Sequence, residues 1–248
     1  MPKNFKLIIE YDGTAYHGWQ RQKSFRTIQG EIEKALLRMT GEHITVKGSG
    51  RTDAGVHALG QTANFVCDKN MEPEIFQKGL DSLLNRDIVI KDCLSVDDQF
   101  HARYDVTSKI YNYRILNRKT PSAIDRNYSW FIRKQLNESA MRSAVLYILG
   151  QHDFKAFEGS GSPRSNSIRT VLDAGFVRLD NGYLIFRIEG DGFLRFMVRN
   201  IVGTLVDVGL EKTRPDDFKT ILLSKNRNLA GATAPAQGLF LMEVRYKA

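Results

Sequence analysis

The chain has 248 residues, 42% of them hydrophobic and 26% charged. These proportions exclude a disordered or fibrous chain, and the length allows one large domain or two small ones. The formal charge is +8 at pH 7, and nine basic residues face three acidic ones between positions 101 and 150, the footprint either of a polyanion partner or of a surface charged for solubility.

In chain order, Phe5–Tyr11 reads as a strand closed by the turn pair Asp12-Gly13. Thr27 can cap a helix running to Met39, with Ile28, Ile32, Ala35/Leu36 and Met39 at helical spacing and Gly41 as its stop. His43–Lys47 and Gln61–Val66 are strand-like and enclose a Gly-rich loop, Ile75–Leu84 predicts a second helix, and Asp87–Val96 a strand pair or one long strand. The alternation then restarts. Ser108–Asn117 is a strand, and Asn137 caps a helix with Met141, Ala144/Val145 and Ile148 on one face and Gly150 at its end. Thr170–Leu179 and Tyr183–Glu189 flank Asn181-Gly182, a strong hairpin signal. A very apolar helix over Phe193–Val208 follows, then a short helix after Pro215 and a final strand, Phe240–Tyr246. The pattern is α+β, with two related domains, 1–104 and 105–248, each an antiparallel sheet packed with helices.

Three stretches carry residue types suited to chemistry. The loop over residues 48–58, GSGRTDAGVHA, holds three glycines, Arg51 and Asp53 between two strands. Glycines allow close backbone approach to a ligand. Asp53 is then either a carboxylate satisfying local amides in a turn or a group held out for a substrate, and the stretch lacks the Gly-Lys-Ser/Thr of a phosphate loop. Arg199 sits within the apolar helix, where a guanidinium must either find an anionic partner or reach solvent along its aliphatic stem. On the strand at 109–113, Lys109, Tyr111 and Tyr113 share one face. That face suits a splayed base and its phosphate, or it is an ordinary half-buried sheet face.

Other classes of site find little support. His152 and Asp153 are adjacent in sequence and make poor catalytic partners, and no Ser or Cys nucleophile motif accompanies them. The five histidines and two cysteines show no metal-ligand spacing. Cys67 and Cys93 cannot build a disulfide framework. No apolar run approaches the roughly 18–20 residues of a membrane span. The start, MPKNFKLIIEYDG, reads as a strand and not as a signal peptide, so the expected setting is cytoplasmic with reduced thiols.

Together these motifs resemble the tRNA pseudouridine synthase A family. The resemblance begins at Tyr11–Gln20 (YDGTAYHGWQ) and is most specific at Gly50–Ala58 (GRTDAGVHA). It continues through Phe100–Arg103 (FHAR), Lys109–Tyr113 (KIYNY), His152–Phe154 (HDF), Phe193–Asn200 (FLRFMVRN) and Ala234–Leu239 (APAQGL), with no departure at the motif positions. It implies a pseudouridine synthase fold whose active site lies in the cleft between the two domains, and isomerisation of uridine to pseudouridine in the anticodon stem-loop of tRNA, at positions 38, 39 and 40. It implies Asp53 as the catalytic aspartate, Arg51 beside the target base, Arg199 as the basic partner of Asp53, Tyr111 stacked on the uracil, and Leu239 lining the base pocket. It further implies no metal, no organic cofactor and a homodimer that holds tRNA in a basic cleft. The reaction breaks the N-glycosidic bond, turns the uracil and joins C5 to C1′, so one ionised carboxylate can suffice. Asp53 can serve either by attacking C1′ or by removing a sugar proton to give a glycal. A non-enzymatic RNA-binding module would explain the charge and the tyrosines but not a buried Arg199 or the Arg51/Asp53 loop. A glycoside hydrolase would normally need a second carboxylate.

Overall fold

Alternating side chains of one long strand, Lys3–Tyr11 (β1), build the first core: Phe5, Leu7, Ile9 and Tyr11 are all buried on its inward face. The computed structural model describes residues 2–159 and 166–247. The chain divides into two compact units, residues 1–107 with 240–248, and residues 108–239.

In the first unit β1 is followed by a helix, Ile28–Thr40 (α1). Thr27 caps it by accepting from the amide of Gly30, and Gly41 ends it in the left-handed conformation at φ 74°. A two-residue strand, Lys47–Gly48 (β2), precedes the long strand His57–Cys67 (β3). The helix Pro73–Leu83 (α2) and the strand Ile88–Val96 (β4) complete the local run. β1 lies between β4 and β3, antiparallel to both, with Phe5 opposite Phe65 and Leu7 opposite Cys93. Phe5 and Phe65 meet Phe76 of α2 at ring-centroid distances of 4.7 and 5.1 Å, which closes the core. Burial pushes the Cys93 thiol up to about 12, assisted by the charges of Asp92 and Glu74, so it stays an inert apolar group.

The expected strand over His43–Lys47 shortens to β2. Ile44 and Val46 are buried as a strand would bury them, but the amide of Val46 donates to Glu33 Oε1 and its carbonyl accepts from Gln29 Nε2. Side chains of α1 have taken the groups that a ladder would have used.

The second unit opens with Val106–Asn117 (β5), whose first two residues fall before the division. Trp130–Ile132 (β6) pairs parallel with β5, and Glu138–Val145 (α3) follows, capped by Asn137. Gly150–Asp153 (β7), Ile168–Arg178 (β8) and Tyr183–Gly190 (β9) form with β5 an antiparallel sheet in the order β5-β9-β8-β7. Two helices, Met197–Gly209 (α4) and Pro215–Ser224 (α5), pack with α3. Neither β6 nor β7 is legible in the sequence, because both are too short to show a period.

The apolar helix begins at Met197 and not at Phe193. Phe196 stands at φ 61°, and the carbonyl of Arg195 accepts from the amide of Gly159 at 2.8 Å instead of entering a helical ladder. The chain closes with Leu239–Tyr246 (β10), which from Phe240 onward belongs to the first unit and runs parallel to β3, with Phe240 opposite His57. A boundary near residue 105 does not include this return, since nothing in a strand's own composition names its partner.

Gly203 of α4 lets the segment after α5 lie against the helix backbone, and a Cβ there would stand 1.7 Å from the carbonyl oxygen of Ala232. The position of a Cβ is fixed by the helix backbone and the oxygen is itself a backbone atom, so no rotamer relieves the clash. Gly203→Ala should therefore lower unfolding free energy by about 2–3 kcal/mol, the upper range of overpacking. Gly175→Ala, where no atom lies within 4 Å of the added carbon, should change it by under about 0.5 kcal/mol. Urea unfolding followed by circular dichroism measures both, and equal effects would contradict the packing described.

Candidate active site

Asp53 lies on the loop between β2 and β3 and is half-buried, and Arg51 two residues earlier is exposed. The loop is tied at nearly every residue. Ser49 donates its amide to Thr62 O at 2.8 Å and its hydroxyl to Gln61 Oε1 at 2.6 Å, and Gln61 Nε2 returns a bond to Gly50 O. The hydroxyls of Tyr11 and Thr52 meet at 2.8 Å inside the core. Trp19 N donates to Thr52 O, Gly55 N to Tyr16 O, and Val56 N to Asp53 O. Gly18, at φ 84°, allows the Tyr16–Trp19 segment this close approach, because a Cβ there would stand 2.4 Å from Thr52 O. Burial pushes the Tyr11 phenol well above its usual range, opposed by its bonds to Thr52 and Gln61, so it remains a neutral hydroxyl.

His57, the residue after this loop, is buried against the ring of Phe240 at 4.7 Å, and its Nδ1 accepts from the amide of Gly13 at 3.1 Å. A side chain so engaged fixes the loop's exit and is not presented to a substrate.

A second constellation lies within the second unit. Tyr111 and Tyr113 share a face of β5, as alternation predicts, and both are buried, at 8% and 0% exposure. Tyr111 meets Phe193 edge-to-face at 5.2 Å. Tyr113 donates its hydroxyl to Pro235 O at 2.7 Å, and Gly238 packs on its ring. Burial drives the Tyr113 phenol far above its ordinary value, opposed only by the positive charge of Arg199, so the hydroxyl remains a donor at any working pH.

Arg199 is half-buried, between the buried partner and the escape to solvent that the apolar helix pattern left open. Its Nε donates to Ala234 O at 2.8 Å, the amide of Ala234 donates back to Arg199 O at 3.1 Å, and its guanidinium lies 5.0 Å from the centre of the Phe196 ring. The helix is apolar around Arg199, but the 232–239 segment supplies carbonyls at its rim. Leu239, at the end of that segment, is buried at 5% exposure.

Three groups went unsingled by sequence reasoning: Tyr11 with Thr52, the amide pair Gln20 and Gln29, and Asn200. Asn200 is fully buried, donates to Phe157 O, and accepts at Oδ1 from Arg227 and from Thr233, which fixes the 232–239 segment. The available signal was a polar residue in an otherwise apolar helix. Such a residue must be satisfied internally.

Among the described residues no group of three or more His, Cys, Asp or Glu could hold a metal ion, and no helix is long and apolar enough to cross a membrane.

A family model described as tRNA pseudouridine synthase matches residues 7–105 and 144–247. The tRNA pseudouridine synthase A of Acetivibrio thermocellus is 48% identical over 98% of this chain and 100% of its own. The corresponding proteins of Clostridium acetobutylicum, at 49%, and Thermoanaerobacter sp., at 46%, show the same coverage. The class so defined is that of isomerases acting on uridine in tRNA. The chain belongs to the tRNA pseudouridine synthase family.

The clasp between Arg199 and Ala234 has a measurable consequence. Arg199→Met keeps an aliphatic stem and removes the donor and the charge. Its unfolding free energy should fall by about 2 kcal/mol, the net value of a hydrogen bond from a charged group, and not by the roughly 3–5 kcal/mol of an orphaned, fully buried ion. Urea unfolding decides between these, and an unchanged midpoint would mean that the clasp contributes nothing.

Proposed function

We propose that this protein isomerises uridine to pseudouridine in the anticodon stem-loop of tRNA, at positions 38, 39 and 40, with Asp53 as the catalytic carboxylate. One observation carries the assignment. In a chain of this family, residues 48–58 contain a single carboxylate, and the loop around it is anchored by backbone and side-chain bonds from Ser49 to Val56. A nucleophile or base acts fastest when its geometry is set before substrate arrives.

Asp53 in its ionised form can attack C1′ or take a sugar proton. In either case the N1–C1′ bond breaks with its electron pair leaving on N1, the uracil turns, C5 bonds to C1′ as Asp53 is displaced or returns the sugar proton, and C5 loses a proton while N1 gains one. Arg51, exposed on the same loop, lies beside the target base, and Arg199 is the charge partner of Asp53. Tyr111 stacks on the uracil, and its buried seat against Phe193 supports that role, since a ring held by an edge contact keeps a defined face. Leu239 lines the pocket for the base. Stacking on an aromatic ring contributes about 1–3 kcal/mol per base, of the same order as the cost of taking the uridine out of its stack. The basic residues of 101–150 supply phosphate contacts that offset the remainder. The working unit is a cytoplasmic homodimer that needs neither metal nor organic cofactor.

The test is direct. Purified protein is incubated with unmodified tRNA transcripts that carry uridine at only one of positions 38, 39 and 40, with a transcript lacking all three as control. Pseudouridine is then mapped by carbodiimide-dependent primer extension. Modification should occur at those positions and nowhere else. Tyr111→Ala should reduce turnover by at least about 100-fold through a misplaced base, and Tyr111→Phe separates the ring from its hydroxyl. Modification outside the anticodon arm, or near-normal turnover by Tyr111→Ala, would contradict the corresponding assignment.

A further inference from the structure

The polar residues packed behind the Asp53 loop form a directed chain that ends on Arg51. Arg51 Nε donates to Gln20 Oε1 at 3.0 Å, and Gln20 Nε2 donates to Gln29 Oε1 at 3.0 Å. Gln29 Nε2 donates to Glu33 Oε1 at 2.9 Å and to the carbonyl of Val46 at 3.1 Å. Gln29 and Glu33 lie one turn apart on α1 and are buried at 6% and 8% exposure. Arg21 pairs with Glu33 at 2.9 Å from the solvent side, and its amide also donates to Gln29 Oε1 at 2.9 Å.

The direction of this chain is fixed at both ends. A backbone carbonyl only accepts, so the amino group of Gln29 must face Val46. Gln29 therefore offers its oxygen to Gln20, which must answer with its own amino group. The one orientation left to Gln20 turns its oxygen toward Arg51, and a guanidinium only donates. Flipping either amide would oppose two oxygens at one junction and two N–H groups at another. Arg51, whose side chain is exposed and would otherwise sample many rotamers, thus meets an acceptor whose polarity is set from the buried face of α1.

We propose that Gln20 is a positioning residue for Arg51: it holds the guanidinium in one orientation beside the target base, and its own orientation is imposed by Gln29 and Glu33. The inference rests on the reading of Arg51 given above. Gln20 touches no reacting atom. Its contribution is the rotamer freedom of Arg51 removed before tRNA binds, and it appears in the rate of turnover of bound tRNA and not in affinity.

Gln20→Met keeps the length of the side chain and removes both of its polar atoms. Gln29 Oε1 retains the amide of Arg21, so no buried group is orphaned and the unfolding midpoint should stay at the parent's value. With tRNA transcripts, kcat should fall about 10- to 100-fold, the scale of a displaced functional group, and KM should stay within about twofold. In an Arg51→Met background, which has lost the group to be positioned, adding Gln20→Met should change kcat by less than about twofold. A normal kcat for Gln20→Met beside a slow Arg51→Met would overturn the inference and leave the role of Arg51 standing. A normal kcat for Arg51→Met would overturn both. Equal losses from Gln20→Met in the two backgrounds would show Gln20 acting independently of Arg51, which also overturns it.

Discussion

The hydroxyl pair of Tyr11 and Thr52, at 2.8 Å in the interior of the first unit, is the contact on which the site depends. Tyr11 ends β1, a core strand, and Thr52 is the immediate neighbour of Asp53 in the chain. A loop rich in glycine has more backbone freedom to lose than any other, roughly 1–2 kcal/mol for each residue fixed. The Tyr11–Thr52 pair, the Trp19 amide on Thr52 O and the Gln61 bonds at Ser49 and Gly50 meet that cost during folding. Each bond is worth only about 0.5–1.5 kcal/mol net. Broken singly, however, each would leave a buried polar group without its partner, so the loop is held as a set. The backbone that carries the Asp53 carboxylate is therefore held in place by the fold itself.

The second unit solves the same problem with different parts. There the element to be fixed is the run from Gly231 to Leu239, whose first five residues belong to no helix or strand. Thr204 accepts from the Gly231 amide, Asn200 accepts from Thr233, Arg199 clasps Ala234 at both ends, and Tyr113 holds Pro235. Three of these four anchors lie on α4, Arg199 and Asn200 side by side and Thr204 one turn on, along a helix whose apolar face is buried in the core. The helix read from its hydrophobicity as packing is also a rack of polar anchors. Tyr113, buried with a phenol that cannot ionise at any ordinary pH, is a structural donor, whereas Tyr111 two residues earlier keeps 8% exposure and stands against Phe193.

Much of this was legible in the sequence because it rests on local rules. The cap at Thr27, the stop at Gly41 and the alternation of β1 and β5 follow from positions a few residues apart, and the structure places each where those rules predict. The Asn181-Gly182 pair also marks a hairpin, although the loop spans four residues, with Gly182 at φ 89°. The errors arose where a distant group intervened. Val46 looks like a strand residue and is buried like one, but its amide belongs to Glu33, thirteen positions away. Phe193–Phe196 have helical composition, but the amide of Gly159 takes the carbonyl of Arg195. For Arg199 the apolar helix leaves burial and escape to solvent both open, and its half-exposure is set by the 232–239 segment. The loop at 48–58 stood out by composition alone. What holds it, Tyr11, Trp19 and Gln61, could not be read from spacing, since those bonds join residues brought together only by the folded unit.

The central claim is that the single carboxylate of this anchored loop carries the chemistry while the rest of the molecule binds and orients. Asp53→Asn tests it with a near-isosteric change, measured in a single-turnover assay of pseudouridine formation on tRNA transcript with enzyme in excess, alongside tRNA affinity by filter binding and the unfolding midpoint. The account predicts a folded variant that binds tRNA within about twofold of the parent and forms no detectable pseudouridine, since an amide cannot supply the anionic oxygen that either route requires. Pseudouridine formation by the folded Asn variant at a rate near the parent's would contradict it and move the chemistry to another residue.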